Sequence, residues 1–545
     1  MNRSVALAVF LLLGLTSLLA NEAVDTEMAW KIRRVATEDS RIMETLHTLT
    51  DVYGPRLTGS PNIKAAQDWA AGQLKAWGLT NVALEPWEFG HPGWSNERFS
   101  GFISSPVRDT LTGEVVAWTP GTNGPAKGTA VLVEPPDKPT QNDLTAWINE
   151  VTPGLRGKIV LVGKPQVVPV TFNPANKRRE DTEVKAQYDP INPAPSPFAA
   201  MMDQPQAPPP PGPTRLTPNE VTEQIDQAFV SAGVLVRLND AGREHGQIRA
   251  FNNRTFDPAK AVPTVVLRNE DYGRIARLLA RKQTVELEFD IVNRTHPEGR
   301  TQYNLVAEIP GTDKAAEVVM LGGHIDSWHA ATGATDNAIG VAVTMEAVRI
   351  LQSLGVKPRR TIRLALWGGE EQGLLGSQAY VKQHFGTFED PKPGYDTLVA
   401  YVNIDSGTGR ARGMSVFGPP EAAAVLRAAL EPFADLGVAG TVATKRRRLG
   451  GSDHTAFSQA GLTGISVGQD PIEYGSHTWH TNLDTYERIV PEDTVKAATA
   501  IAGAVYHLAM REERLPRFAK DQMPEPPKPE PPVTRAAPTT AAGTR

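Results

Sequence analysis

Six side chains that can bind a metal ion or carry a proton lie in short glycine-rich segments of this sequence. They are His324 in GGHIDSW, Asp336 in GATDNAIG, Glu370 and Glu371 in LWGGEEQG, Asp405 in YVNIDSG and His480 in SHTWHTNLDT. Two histidines, two aspartates and one glutamate make a full ligand set for two Zn²⁺ ions, and a second glutamate is left as a base. The residue types therefore predict a hydrolase with two metal ions.

Most of these side chains follow a predicted buried strand. EVVMLG precedes His324, TIRLALW precedes the two glutamates, LVAYVNID ends on Asp405, and GISVG leads to the loop with His480. Asp336 comes just before a helix predicted from Ile339, where helix-terminal N–H groups can hold a carboxylate. In open α/β sheets, ligands bind beyond the carboxyl ends of the strands. One such aspartate is usually a turn residue, but several groups at one edge favour a metal site.

Strands and helices alternate between about residues 300 and 512. Helices are predicted at Ile339–Leu354, Glu421–Leu436 and Glu492–Glu513, and earlier in the chain at Glu27–Val52 and Pro61–Trp77. The alternation predicts an α/β fold with a mostly parallel mixed sheet flanked by helices.

The length of 545 residues predicts two or three domains. Residues 27–104 are predicted to be a helical part of the catalytic domain, and residues 289–514 its main part. Between them, residues 105–288 contain short β runs such as GTAVLV and are predicted to form a small β-rich insert. Within the insert, Pro193–Pro218 is predicted to be an exposed loop, and residues 515–545 a disordered Pro-rich tail.

The first 20 residues are predicted to be a secretory signal. Arg3 precedes an apolar run, Val5–Leu19, and Ala20 offers a cleavage edge. The run is short for a membrane span, and an uncleaved anchor is the alternative. The chain has no cysteine, so disulfides and a lipid-bearing cysteine are excluded. We expect a secreted or periplasmic protein without a stable membrane span after signal cleavage.

The net charge of −5, with no basic stripe paired with aromatics, predicts that the chain does not bind nucleic acid. The expected partner is a peptide or dipeptide substrate. A homodimer is left open by the sequence.

The ordered series GGHIDSW, GATDNAIG, LWGGEEQG, NID, GGSDH and HTNLDT resembles the co-catalytic zinc exopeptidases. That family includes bacterial leucyl aminopeptidase and plasma glutamate carboxypeptidase, and HIDSW with RTIRLALWGGEEQG is most similar to the latter branch. The resemblance is strong over residues 300–512 and weaker over the N-terminal GPRLTGS segment. The β-rich insert resembles a protease-associated domain.

The resemblance implies a role for each candidate residue. Asp336 would bridge two zinc ions, Glu370 would be the general base, and Asp326 would orient His324 through a carboxylate–imidazole hydrogen bond. The remaining ligands would be divided between the two ions, with His324 and Asp405 on one and Glu371 and His480 on the other.

Three assignments stay open at this stage. His477 competes with His480 for the ligand role, and His477 or Tyr474 could instead donate to the oxyanion. The basic run Lys445–Arg448 could hold a substrate carboxylate or form a solvated loop. The sequence also leaves open whether an amino or a carboxyl terminus is recognised.

Two other functions compete with a two-zinc exopeptidase. One is a glutaminyl cyclase-like transferase with a single zinc, which the intact second ligand set disfavours. The other is a receptor-like binding protein on an inactive catalytic fold, which would require lost ligands. A count of bound zinc distinguishes all three.

Overall fold

The computed structural model describes residues 23–172, 178–195 and 213–526. The predicted secretory signal, residues 1–20, lies outside this part of the chain, as do residues 196–212 of the Pro-rich loop and residues 527–545 of the tail. For these residues the predictions stay predictions. Residues 515–526 of the predicted disordered tail are described, and they pack on the domain: Leu515 is buried, Lys520–Gln522 form a 3₁₀ turn, and the Pro524 carbonyl accepts from Arg447 at 3.1 Å.

The described strands form two eight-stranded sheets. In chain order the strands are β1 (Thr80–Glu88), β2 (Gly93–Ser105), β3 (Asp109–Thr110), β4 (Gly113–Val115), β5 (Ala126–Val133), β6 (Ile159–Val162), β7 (Val236–Asp240), β8 (Thr264–Leu267), β9 (Glu286–His296), β10 (Thr301–Ile309), β11 (Lys314–His324), β12 (Arg360–Trp367), β13 (Leu398–Ile404), β14 (Ala411–Phe417), β15 (Gly440–Thr444) and β16 (Gly464–Gln469).

Helices cover the faces of both sheets. In chain order they are α1 (Thr26–Glu38), α2 (Ile42–His47), α3 (Pro61–Ala76), α4 (Gln141–Val151), α5 (Asp181–Gln187), α6 (Pro218–Ala232), α7 (Asn269–Ala280), α8 (Ile339–Ser353), α9 (Leu375–His384), α10 (Pro420–Leu430), α11 (His454–Gln459) and α12 (Pro491–Met510). None of the helices among the described residues is long and apolar enough to span a membrane.

The first sheet, the catalytic sheet, has the strand order β1-β10-β12-β11-β13-β16-β14-β15. Its centre is parallel, since β11 pairs with β12 and β13, and β13 pairs with β16, in the same direction. Strands β1, β10 and β14 join it by antiparallel pairing. The prediction of a mixed, largely parallel α/β fold is therefore confirmed.

The central strands are buried on both faces, which explains why they read as continuous apolar runs. Every residue of β13 is buried, and α8 is buried along most of its length. Position 322 in β11 requires glycine, because a Cβ there would lie 1.8 Å from the Ala365 carbonyl oxygen on β12. The apolar sequence thus positions the strand ends that carry the candidate ligands.

The prediction that residues 27–104 are helical is wrong beyond α3. Gly78 ends that helix with a left-handed φ of 86°, and the chain then forms β1 and β2. β1 joins the edge of the catalytic sheet by antiparallel pairing with β10. Pairing with β10, more than 200 residues away, makes the β1 segment a strand. No local helical signal supported the prediction of a helix there.

The second sheet, formed by β2 to β9, is the core of the insert. Its strands extend from Gly93 to His296, further in both directions than the predicted 105–288. β2 and β9 pair along almost their whole length, from Gly93 opposite His296 to Ser105 opposite Glu286. This two-stranded ribbon links the insert to the catalytic domain, so its ends belong with the insert.

Three predicted helices differ from the structure. The segment predicted as the single helix Glu27–Val52 is interrupted after Glu38, where α1 ends, and continues as α2 and a further helical turn at Thr48–Val52. The segment predicted as Glu421–Leu436 is the helix α10 followed by a 3₁₀ turn at Glu431–Leu436, where Pro432 cannot donate an intrahelical hydrogen bond. The last helix, α12, ends at Met510 rather than at Glu513.

Candidate metal centre

The structure brings the six candidate residues together at the carboxyl edge of the parallel strands. His324 ends β11, Asp405 follows β13, and Glu370 and Glu371 lie in the turn after β12. The other two are Asp336, in a turn of helix at Ala334–Ala338 that leads into α8, and His480, in the loop that follows β16.

Asp336 lies between the two histidines and directs one carboxylate oxygen to each. Its Oδ1 is 3.3 Å from His324 Nε2, and its Oδ2 is 3.1 Å from His480 Nε2. His324 Nε2 is also 3.5 Å from Asp405 Oδ1, and His480 Nε2 is 3.0 Å from Glu371 Oε2. The five side chains therefore form two groups of ligands that share Asp336.

Several atoms at the centre of this cluster are buried without a hydrogen-bond partner among the described residues. They are His324 Nε2, Asp336 Oδ2 and Glu371 Oε1, and the close approaches given above for the first two atoms are not hydrogen bonds. A buried polar atom without a partner costs about 1–3 kcal/mol. Imidazole nitrogens and carboxylate oxygens are ligands of zinc, so a bound cation would satisfy all three atoms. The donor set fits the metal that the sequence predicts.

Asp326 contributes differently from the prediction. His324 Nδ1 donates to the backbone carbonyl oxygen of Asp326 at 3.0 Å, whereas the nearest carboxylate contact, to Oδ1, is 3.6 Å. The carboxylate instead accepts hydrogen bonds from the backbone N–H groups of Glu370 and Glu371, both at 3.2 Å, and from the Thr58 hydroxyl at 3.0 Å. The carbonyl leaves His324 Nε2 free to bind a metal, and the carboxylate positions the two glutamates.

Glu370 lies beside the first ligand group. One ligand atom each from His324, Glu370 and Asp405 lie within 4.8 Å of one another, so geometry alone admits Glu370 as a ligand or as a base. Burial raises the pKa of Glu370 well above its ordinary value; His324 opposes the shift and Asp405 adds to it. Burial also raises the pKa of Glu371, to about 7.

Asp484 is a site residue that the sequence reasoning missed. It is fully buried, and its two carboxylate oxygens accept hydrogen bonds from the backbone N–H groups of Thr335, at 2.6 Å, and Asp336, at 3.1 Å. The signal was present, since Asp484 is the aspartate of the HTNLDT motif. It fixes the segment that carries Asp336.

Arg56, in the GPRLTGS segment, is a second missed residue. Its buried guanidinium donates to backbone carbonyls at both ends of the chain segment before Asp336, including Ile325 at 2.8 Å and Thr332 at 2.8 Å. Burial lowers the pKa of Arg56 to about 10, while nearby carboxylates, Asp484 first, oppose the shift. The guanidinium of Arg56 thus donates five hydrogen bonds to backbone carbonyls and places a positive charge next to the acidic residues of the site.

The two predicted substrate-binding residues lie at different distances from the ligands. The Tyr474 hydroxyl donates to Asp405 Oδ1 at 3.4 Å, so this side chain reaches the site. His477 Nδ1 is instead 2.9 Å from the hydroxyl of its neighbour Ser476. The ligand position opposite Asp336 is occupied by His480 and not by His477.

The basic run Lys445–Arg448 does not supply a free cation through Arg447. That side chain is buried and pairs with Glu389 at 2.7 Å. The guanidinium carbon of Arg447 also lies over the Phe388 ring, 5.5 Å from the ring centroid. Within the run, Arg447 is therefore neither solvated nor available for a substrate carboxylate, and the choice between the two roles stays open for the rest of Lys445–Arg448.

The insert contacts the loop that carries His480. Ile248 N–H donates to the Asn482 side chain at 2.9 Å, and Asn482 N–H donates to the Ile248 carbonyl at 3.0 Å. The Phe251 ring meets the His480 ring edge to face, with centroids 5.6 Å apart. One wall of the site therefore comes from the insert.

A cavity of about 310 Å³ lies away from the metal centre, at the opposite edge of the catalytic sheet. Its charged residues include Arg363, which pairs with Glu308 at 2.5 Å, and His384, which pairs with Glu85 at 2.7 Å. Because these charges are already paired, we place the chemistry at the metal centre and not at this cavity.

Comparison with known proteins agrees with this geometry. Residues 304–505 match the model of peptidase family M28. That span contains all six candidate residues, from His324 to His480. Over this span the chain is therefore similar to peptidase family M28, the co-catalytic zinc exopeptidases, and the resemblance predicted from its motifs is confirmed.

The relatives extend over most of the chain. Carboxypeptidase Q from Mus musculus is 26% identical over 482 residues, which cover 88% of this chain and 87% of the relative. A peptidase M28 precursor from Shewanella amazonensis has a similar fold, with a TM-score of 0.63 and 24% identity over 91% of this chain and 98% of its own. A zinc aminopeptidase from Bacillus subtilis has a TM-score of 0.52 and 19% identity over 89% and 97%.

Proposed function

We propose that this protein is a two-zinc exopeptidase that hydrolyses a peptide bond next to a chain terminus. One observation carries the proposal: Asp336 directs separate carboxylate oxygens to His324 and His480. A carboxylate in this position can bridge two cations, as in two-metal hydrolases. The similarity to peptidase family M28 supports zinc, and the two groups of ligands around Asp336 support a count of two.

The ligands divide as the family resemblance implies. His324, Asp336 and Asp405 would hold one ion, and Asp336, Glu371 and His480 the other. Three protein ligands per ion leave a coordination position open, which is typical of catalytic rather than structural zinc. Zinc, when bound, acts as a Lewis acid that polarises a carbonyl group and lowers the pKa of water.

Glu370 is the proposed general base. It is positioned by its backbone hydrogen bond to Asp326 and is not needed to complete either ligand group. Its carboxylate accepts a proton from the attacking water and returns it to the leaving amine. Glu371, its neighbour, is committed to His480 at 3.0 Å and is less suited to the same task.

Tyr474 is the better placed of the two proposed substrate contacts. Its hydroxyl lies at 3.4 Å from a proposed ligand oxygen, so it can donate to an oxyanion that forms beside that ligand. His477 would act further out, at the rim. Export to the periplasm or the medium, and a homodimer, stay predictions.

Zinc analysis combined with a substrate test distinguishes the proposal from its rivals. We expect about two zinc ions per chain, loss of activity with a chelator, and recovery when zinc is restored. The substrates would be dipeptides and peptides blocked at either end. If the chain bound one zinc ion and cyclised glutaminyl peptides, the transferase would be favoured. If it bound no zinc and turned over no substrate, the binding protein would be favoured.

A further inference from the structure

Two arginines of the insert lie beside the loop that ends at His480. Arg249 Nε donates to the Trp479 carbonyl at 3.1 Å, and its guanidinium lies over the Trp479 ring, 4.6 Å from the centroid. The Trp479 ring is in turn 4.3 Å from the His480 ring, centroid to centroid. Arg243 reaches the same loop, donating to the Ser476 carbonyl at 3.3 Å. The guanidinium of Arg249 is therefore one aromatic ring away from a proposed zinc ligand.

Neither arginine has a carboxylate within salt-bridge distance among the described residues. Arg243 Nε donates to a neutral partner, the Gln247 side-chain oxygen, at 3.0 Å. Burial lowers the pKa of Arg249 to about 10, and the positive charge of Arg243 adds to the shift. Arg447, by contrast, is neutralised by Glu389. Burial also lowers the pKa of Arg243, and the negative charge of Glu244 only opposes that shift. A half-buried pair of cations that lacks a carboxylate within salt-bridge distance is costly unless a ligand supplies the anion.

A substrate carboxylate has the right chemistry to complete this pair. The planar guanidinium binds a carboxylate through two parallel hydrogen bonds. Consecutive Cα atoms are about 3.8 Å apart, so a terminal carboxylate is about one residue beyond the scissile carbonyl of a dipeptide. The ring of Trp479, 38% exposed, lies between His480 and Arg249 and can support the residue that spans this distance.

We infer that Arg249, assisted by Arg243, binds the free α-carboxylate of the substrate residue on the leaving side of the scissile bond. The inference rests on the proposed function and deepens it. The enzyme then removes a single residue from a carboxyl terminus or splits dipeptides, and an amidated terminus is a poor substrate. The insert, through these two residues, determines which end of a peptide is cleaved.

The test compares neutral dipeptides with their C-terminal amides in the zinc-loaded enzyme. We expect the wild type to favour the free acids. Arg249→Ala should lower kcat/KM for the acids by about 10- to 100-fold, mainly through KM, because one charged hydrogen-bonding partner is lost. The same variant should change kcat/KM for the amides by less than about threefold, and Arg249→Lys should lie between them.

Arg254→Ala is the matched control, since Arg254 is an exposed arginine of the same insert. Arg254→Ala should leave kcat/KM unchanged for both the free acids and the amides. A second readout is independent of turnover: in Glu370→Gln enzyme, calorimetry should show that Arg249→Ala weakens dipeptide binding but not amide binding. Zinc content and melting temperature show whether each variant is folded.

The outcomes separate this inference from the proposed function. If the wild type splits acids and amides equally, or if Arg249→Ala lowers both equally, the function stands and the role of Arg249 is wrong. If zinc-loaded wild type splits no peptide of the panel, the proposed function fails and the inference fails with it.

Discussion

The carboxylate of Asp484 accepts the backbone N–H of Asp336 at 3.1 Å and holds the segment of the shared ligand from behind. Its other oxygen accepts the N–H of Thr335 at 2.6 Å. The side chain of Asp336 is thereby left to face the two histidines. A buried acid outside both proposed ligand groups would thus help to decide where the two zinc ions bind.

Asp484→Asn should weaken zinc binding by about 10- to 100-fold, the range for residues that support metal ligands. Asparagine has one oxygen, so its amide group would face one of the two backbone N–H groups. Competition with a chelator measures the change. Asp521→Asn, at an exposed position, is the control, and an affinity equal to the wild type in Asp484→Asn would show that the support is dispensable.

Glu370→Gln should abolish turnover, with kcat reduced by at least about 100-fold, while zinc is retained. The amide cannot accept the proton of the attacking water but leaves both ligand groups intact. Activity and zinc content are measured together. Glu371→Gln is the matched comparison and should lose zinc as well as activity. A Glu370→Gln enzyme with even a tenth of wild-type activity would remove Glu370 from the role of base.

Asp336→Ala should lose both zinc ions together, because each group of ligands uses one of its oxygens. Asp405→Ala removes a ligand from one group only and should retain more of the second ion. Elemental analysis after dialysis gives both counts. One ion retained at full occupancy in Asp336→Ala would contradict the bridging role.

Glu114 in the insert should make stability depend on pH. Burial raises its pKa to about 8, from 4.5. The folded chain then binds this proton more tightly than the unfolded chain, so the free energy of unfolding falls as pH rises from about 4.5 through about 8. Above that range the half-buried carboxylate is ionised at a cost to the fold.

Glu114→Gln should therefore be more stable than the wild type at about pH 9, by at least about 1 kcal/mol, and nearly equal at about pH 5. Melting temperatures of zinc-saturated protein measure this difference. Glu286→Gln, exposed on β9, should show no such trend. A constant difference across the pH range would mean that the ionisation of Glu114 does not matter.

Most strands of the catalytic domain could be predicted from the sequence because the signals for them are local. Continuous apolar runs such as β13 predicted parallel strands, and the polar residues at or shortly after the ends of these runs gave the candidate ligands. The same local reasoning failed at β1, whose partner β10 lies more than 200 residues away. It also misplaced the limits of the insert, because the pairing of β2 with β9 is likewise between segments distant in sequence.

The sequence by itself determined which side chains could bind zinc and at which edge of the sheet they would meet. Only the tertiary structure decided that Asp336 faces two ways, that the carboxylate of Asp326 serves the glutamates, and that Arg56 reaches a carbonyl 269 residues away. It also brought Arg249 of the insert to the His480 loop. Periodicity along one strand fixes which face a residue occupies, whereas contacts between distant segments depend on packing that no local pattern encodes.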